Sequence, residues 1–152
     1  MNLNNIDIRP EHFRHATEVQ IRFNDIDILG HVNNTVYLTF YDTAKARYME
    51  AVKCGNIDWQ KVETVIANID CAFVNPTYFG EVIKVYTRCL SIHDKSFRLL
   101  QVIAREDGQI KSVCESVMVS FDTATLKPSS VPDDWRHDLS AFEGRDLNVS
   151  KV

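Results

Sequence analysis

RFNDIDILGHVNN (residues 22–34) followed by TVYLTFYDTAKARYMEAVK (residues 35–53) is the stretch on which the reading of this chain turns. Its two halves obey different rules. The first is crowded with Asp, Asn and Gly, whose side chains bond nearby backbone or permit positive φ, so it reads as a connection. In the second, Val36, Tyr37, Phe40, Tyr41, Ala44, Tyr48 and Met49 recur at helical spacing, with Lys45, Arg47 and Glu50 between them on the expected solvent side. Asn33 or Asn34 suits the N-cap, and Cys54-Gly55 supplies a stop. A helix of ~19 residues is nearly 30 Å long at about 1.5 Å per residue. For a chain of 152 residues, such a length predicts a central rod with a sheet wrapped around it.

Upstream of that stretch, residues 17–24 alternate, with Val19, Ile21 and Phe23 on one side, and predict a half-buried strand. Residues 1–15 are polar and read as a loosely held arm. Downstream, runs rich in Val, Ile, Phe, Tyr and Thr predict strands over residues 64–74, 81–92, 96–105 and 110–122. Asp107-Gly108 between the last two is a hairpin signal. Residues 56–63 fit a short helix or a loop. Beyond Thr123 periodicity is lost, Trp135 and Phe142 are expected to pin the tail, and residues from Gly144 onward are expected to be mobile. The order is strand, long helix, four strands: a single α+β domain over 1–152, with its core at about 14–122 and a tail at 123–152. Five antiparallel strands around one helix leave an open edge, which predicts a symmetric homo-oligomer.

Composition narrows the functional classes. Hydrophobic residues make up 45% and charged residues 25%, the balance of an ordinary globular chain. A net charge of −4 argues against nucleic acid, which calls for a basic face. No apolar run reaches the ~20 residues of a membrane-spanning helix, and the first residues lack a secretory pattern. Cys54, Cys71, Cys89 and Cys114 form no C-x-x-C pair, and three of them sit in apolar strand-like runs, so a reduced, cytoplasmic protein without a metal is expected.

The chemistry gathers at the start of the rod. A helix N-terminus leaves amides unpaired and carries about half a positive charge, so it can hold an oxyanion. Just before it stand Asp25, Asp27 and His31. A carboxylate facing such an end is a workable acyl-transfer site. From spacing alone, turn formation and capping explain the same residues better than catalysis does; Asp25 is the one of the two acids expected to be structural or exposed, and His31 reads first as a loop imidazole bonded to backbone.

RFNDIDILGHVNN with Tyr37 three residues beyond resembles the R-[FY]-x-D-x-D-x-x-G-H-V-N-N motif of the hot-dog acyl-CoA thioesterases, the 4-hydroxybenzoyl-CoA thioesterase-like family. DCAFVNPTYFGE (residues 70–81) resembles a second stretch of that family, with Glu81 where Asp is commoner. The resemblance covers about residues 14–122. It implies a hot-dog fold with sheets joined across a dimer, and hydrolysis of an acyl-CoA or acyl carrier protein thioester by a homodimer or homotetramer. No cofactor is implied beyond the coenzyme A of the substrate. It places the essential carboxylate on Asp27 and the oxyanion-binding amide at the start of the helix, on Asn34 or a near neighbour. Gly30, His31, Asn33 and Tyr37 would line or shape the pocket, and residues near Pro76 to Glu81 would contribute from the facing subunit. Lys95, Ser96 and Arg98 would meet the phosphates of coenzyme A. The competing readings are a dehydratase or hydratase of the same fold, for which no H-F-P-G-type stretch is present, and a non-catalytic acyl-thioester binder.

Overall fold

The computed structural model describes residues 1–150. Six strands and two helices follow the order β1 (His15–Val19), α1 (Asn34–Val52), β2 (Thr64–Phe73), β3 (Ile83–Ile92), β4 (Ser96–Arg105), β5 (Ile110–Asp122), β6 (Lys127–Pro128) and α2 (Asp133–Glu143). The main sheet is antiparallel in the order β1-β3-β4-β5-β2, with the short β6 beside β5. It curls around α1, the arrangement of a hot-dog fold.

Helix α1 lies in the concavity because one of its faces is apolar and aromatic. Tyr37, Phe40, Tyr41 and Ala44 pack with Ile83, Val85, Ile103 and Cys114, whereas Tyr48, Met49 and Val52 pack with Ile92, Phe97, Leu99 and Met118. Polar bonds fix its height over the sheet: Tyr41 donates to Ser112 at 2.7 Å, and Gln101 donates to the Tyr41 carbonyl at 3.0 Å. Lys45, expected at the surface, is buried and bonds Asp42 one turn earlier. Its stem adds to the apolar face while the ammonium reaches outward.

Three further expectations are corrected. The first strand stops at Val19, and Phe23 is 81% exposed, because Arg22 and Asp25 bond each other and curl residues 23–25 into a 3-10 turn. The N-terminal arm is held: Leu3, Ile6, Ile8 and Phe13 cover the convex face of the sheet against Leu100, Val102 and Val113. The C-terminal segment is also built in. Helix α2 docks through Lys53 with Asp134 and Asp138, Leu147 is buried, and the backbone at Ile92 pairs with residues 147–149. These segments lacked a long periodic signal because each buries only a few side chains. No helix of the described residues is long and apolar enough to cross a membrane.

Candidate active site

The connection from β1 to α1 is built by its own polar residues. Asp25 is buried and accepts from the Arg22 amide at 2.7 Å and from the Arg22 guanidinium at 2.9 Å. Burial would raise its carboxyl, but the bonds and charge of Arg22 outweigh that and hold it below the usual range. Its carbonyl accepts from the Asn33 amide at 2.9 Å, which ties the turn to the helix start. Asp25 is therefore the structural acid, as expected.

Asp27 occupies a different environment. Its amide donates to the His31 carbonyl, its carbonyl accepts from Gly30, and Oδ1 accepts from the Leu29 amide at 2.9 Å. The second carboxylate oxygen has no partner among the described residues, and the side chain is half-buried. Gly30 closes this small loop at φ +85°, a conformation costly for any residue with a Cβ. The space where its Cβ would stand is open, so it is the dihedral that calls for glycine.

Helix α1 begins at Asn34, with Asn33 as its cap. Asn33 Oδ1 accepts from the Thr35 amide at 2.9 Å, and the Asn33 carbonyl accepts from Val36 at 2.9 Å. The amide of Asn34 is left without a partner among the described residues. Asn34 lines a cleft of about 300 Å³ together with His31, Tyr37, Phe73, Val74, Asn75 and Pro76. Four of the residues singled out from the sequence, His31, Asn34, Tyr37 and Pro76, therefore share one space, whereas Asp27, Gly30 and Asn33 stand in the adjoining loop and do not line it. His31 Nδ1 stands 3.4 Å from the Val32 carbonyl, so a backbone contact and a place on the cleft wall coexist. Burial pushes the Tyr37 phenol above its usual range, despite its bond to Thr77. Its hydroxyl donates to Thr77, which holds the ring in place on the cleft wall.

Sequence reasoning missed what props this cleft from behind. Thr77 is fully buried; its carbonyl accepts from the Val32 amide at 2.8 Å, and its hydroxyl accepts from Tyr37 at 2.8 Å. Beneath it, Lys111 donates to the Pro76 carbonyl at 2.8 Å and pairs with Glu81 at 2.7 Å. Lys111 is one polar residue in an apolar strand, and nothing local separates it from a solvent-facing lysine. Its depth follows from a bulge at the start of β5 that turns it inward.

Lys95, Ser96 and Arg98 are not brought to this cleft within the subunit. They lie at the β3–β4 turn and the start of β4, where Phe97 packs with Met49 and Val52 at the far end of α1. Arg98 turns to the convex face and pairs with Glu115. Among the described residues no three His, Cys, Asp or Glu side chains gather as a metal site would require.

The family model of the thioesterase-like superfamily matches residues 21–139. The chain is 25% identical over 127 residues to the long-chain acyl-CoA thioesterase FadM of Escherichia coli, covering 81% of this chain and 95% of that protein. It superposes on a thioesterase from Thermus thermophilus, solved with coenzyme A and Zn, with a TM-score of 0.81. That pair is 28% identical and the match covers 90% and 99% of the two chains. A 4-hydroxybenzoyl-CoA thioesterase variant in complex with 4-hydroxybenzoyl-CoA shares the fold at a TM-score of 0.73 and 24% identity, over 83% and 98% of the chains. By motif, by curled sheet and by the family model over most of its length, this chain belongs to the thioesterase-like superfamily.

Proposed function

We propose that the chain hydrolyses an acyl-CoA thioester to a free carboxylic acid and coenzyme A in the cleft at the start of α1. As a member of its superfamily it is a thioester hydrolase; the roles of individual residues are our reading. The observation that carries it is the unpaired helix-start amide of Asn34, a residue that lines the cleft, with Asp27 outside the cleft lining but in the loop that leads to it and with one carboxylate oxygen free. The thioester carbonyl oxygen would accept from the Asn34 amide, where the helix end favours the negative charge that develops on attack. Asp27 would take a proton from the attacking water, or attack the carbonyl itself to give an anhydride that water opens. In either course the C–S bond breaks, and coenzyme A leaves as a thiolate that takes up a proton.

The cleft ends on Phe73 and Val74, at the end of the exposed edge strand β2. Val65, Ile66 and Ile69 on the same strand are also solvent-exposed. An apolar free edge favours antiparallel pairing with a second copy. A two-fold axis through β2 would run the two long helices antiparallel. The partner's Lys95 and the partner's Ser96 would then stand at the end of the assembly that holds this cleft, a position suited to coenzyme A phosphates. The guanidinium of Arg98 is already engaged by Glu115.

Thiol release from a panel of short, long-chain and aryl acyl-CoAs tests the reading and sorts the substrate class. The D27N variant should lose at least the ~10²-fold in kcat that a general base or nucleophile supplies. Near-normal kcat in that variant would remove Asp27 from the chemistry. Single-turnover hydrolysis in ¹⁸O water separates the two courses, since label enters the Asp27 carboxylate only if it attacks.

A further inference from the structure

The loop after β2 carries Asn75 onto the cleft wall. It stands past the end of β2 at Phe73, outside the edge that a second copy would pair with. Its backbone is fixed, since the Val74 and Asn75 amides both donate to the Lys111 carbonyl, at 2.8 and 3.1 Å. Its side chain is fixed as well: Nδ2 donates to the Ile110 carbonyl at 2.8 Å. A carbonyl only accepts, so this bond decides which end of the carboxamide faces Ile110 and leaves Oδ1 at the other. Among the described residues nothing donates to Oδ1, and it is not sealed from solvent. Much of the remaining wall is apolar or aromatic, with Tyr37, Phe73, Val74 and Pro76. An acceptor pinned this firmly and left open on such a wall is preorganised for a donor on the bound molecule.

We propose that Asn75 determines thiol specificity: its Oδ1 accepts from the first amide N–H of a pantetheine arm, so the cleft favours thioesters of pantetheine over those of simple thiols. The inference rests on the hydrolysis proposed above and names what the leaving thiol must carry. In an acyl-pantetheine thioester the N–H nearest the reacting carbonyl lies two carbons beyond the sulfur, on the leaving side. A hydrocarbon acyl chain offers no donor, so the apolar wall suits the acyl group and the open acceptor suits the arm. A polar group left unpaired when the N–H is missing discriminates against the molecule that lacks it. The bond forms away from the carbon that changes, so it holds substrate and transition state alike and acts on KM rather than kcat. Coenzyme A and acyl carrier protein present the same arm, and Asn75 serves both.

N-acetylcysteamine carries that first amide, and 5-mercaptopentan-2-one replaces its N–H by CH2 while keeping its length and carbonyl. Thioesters of one acid with these two thiols are each added as competitors to hydrolysis of the acyl-CoA, which reads their binding even where they turn over slowly. In the parent the amide ester should bind about 5-fold more tightly, the factor one neutral hydrogen bond supplies. In N75A, and in N75L as a second variant, the two esters should bind within about 2-fold of each other. Equal binding in the parent overturns the proposal, as does a preference that survives in both variants. A parent inert on every acyl-CoA defeats the proposed function and this inference with it, whereas hydrolysis without an amide preference defeats the inference alone.

Discussion

Removing the ammonium of Lys111 tests the support behind the cleft. Lys111 is 2% exposed and its Nζ lies 2.7 Å from Glu81 and 2.8 Å from the Pro76 carbonyl. In K111M the Glu81 carboxylate, 14% exposed, keeps only the Tyr78 amide at 3.2 Å and Arg105 at 3.8 Å. Breaking a buried pair from one side costs about 3–5 kcal/mol, because the remaining charge is poorly solvated. For a chain of this size each kcal/mol moves Tm by about 2–4 °C, so a fall on the order of 6–20 °C is expected. Replacing both partners, as K111M/E81Q, should recover most of that loss, since neither charge is then left buried while the bond to Tyr78 survives. Thermal unfolding by calorimetry of the two variants and the parent reads this directly. A single variant within about 1 kcal/mol of the parent would refute the argument, as would a double variant no better than the single.

Two other consequences can be measured. Lysine at both Ile66 and Ile69 places charge on the free edge of β2, and sedimentation should show the mass falling from twice to once the 17.5 kDa of the chain; a parent that sediments as a monomer would dismiss the edge-paired dimer. Asp25 titrates below its ordinary value in the fold, so its contribution is complete above the unfolded pKa of about 3.9 and fades as pH falls through the lower folded value. Denaturant titrations at neutral and acid pH should show D25N losing more stability, relative to the parent, at neutral pH; equal losses at both would contradict the linkage.

The amino-acid sequence by itself determined the long helix, the four strands after it and their order, but not β6 or α2. Apolar recurrence marked α1 to within a residue at each end, and the four downstream strands emerged close to their observed bounds, because each buries a long face whose period is written in consecutive residues. The cap at Asn33, the turn at Gly30 and the structural role of Asp25 were legible for a related reason: those bonds run between residues two to eight positions apart. Only the tertiary structure decided what meets across distance. It set Pro76 and Phe73 against the helix start, sent Lys95 and Arg98 to the opposite end of the subunit, and buried Lys111 under Thr77. It also laid the N-terminal arm and α2 onto the body through a few side chains each. Such contacts depend on strand order, register and one bulge, which no single segment encodes, so their partners become visible only when the sheet has closed around its helix.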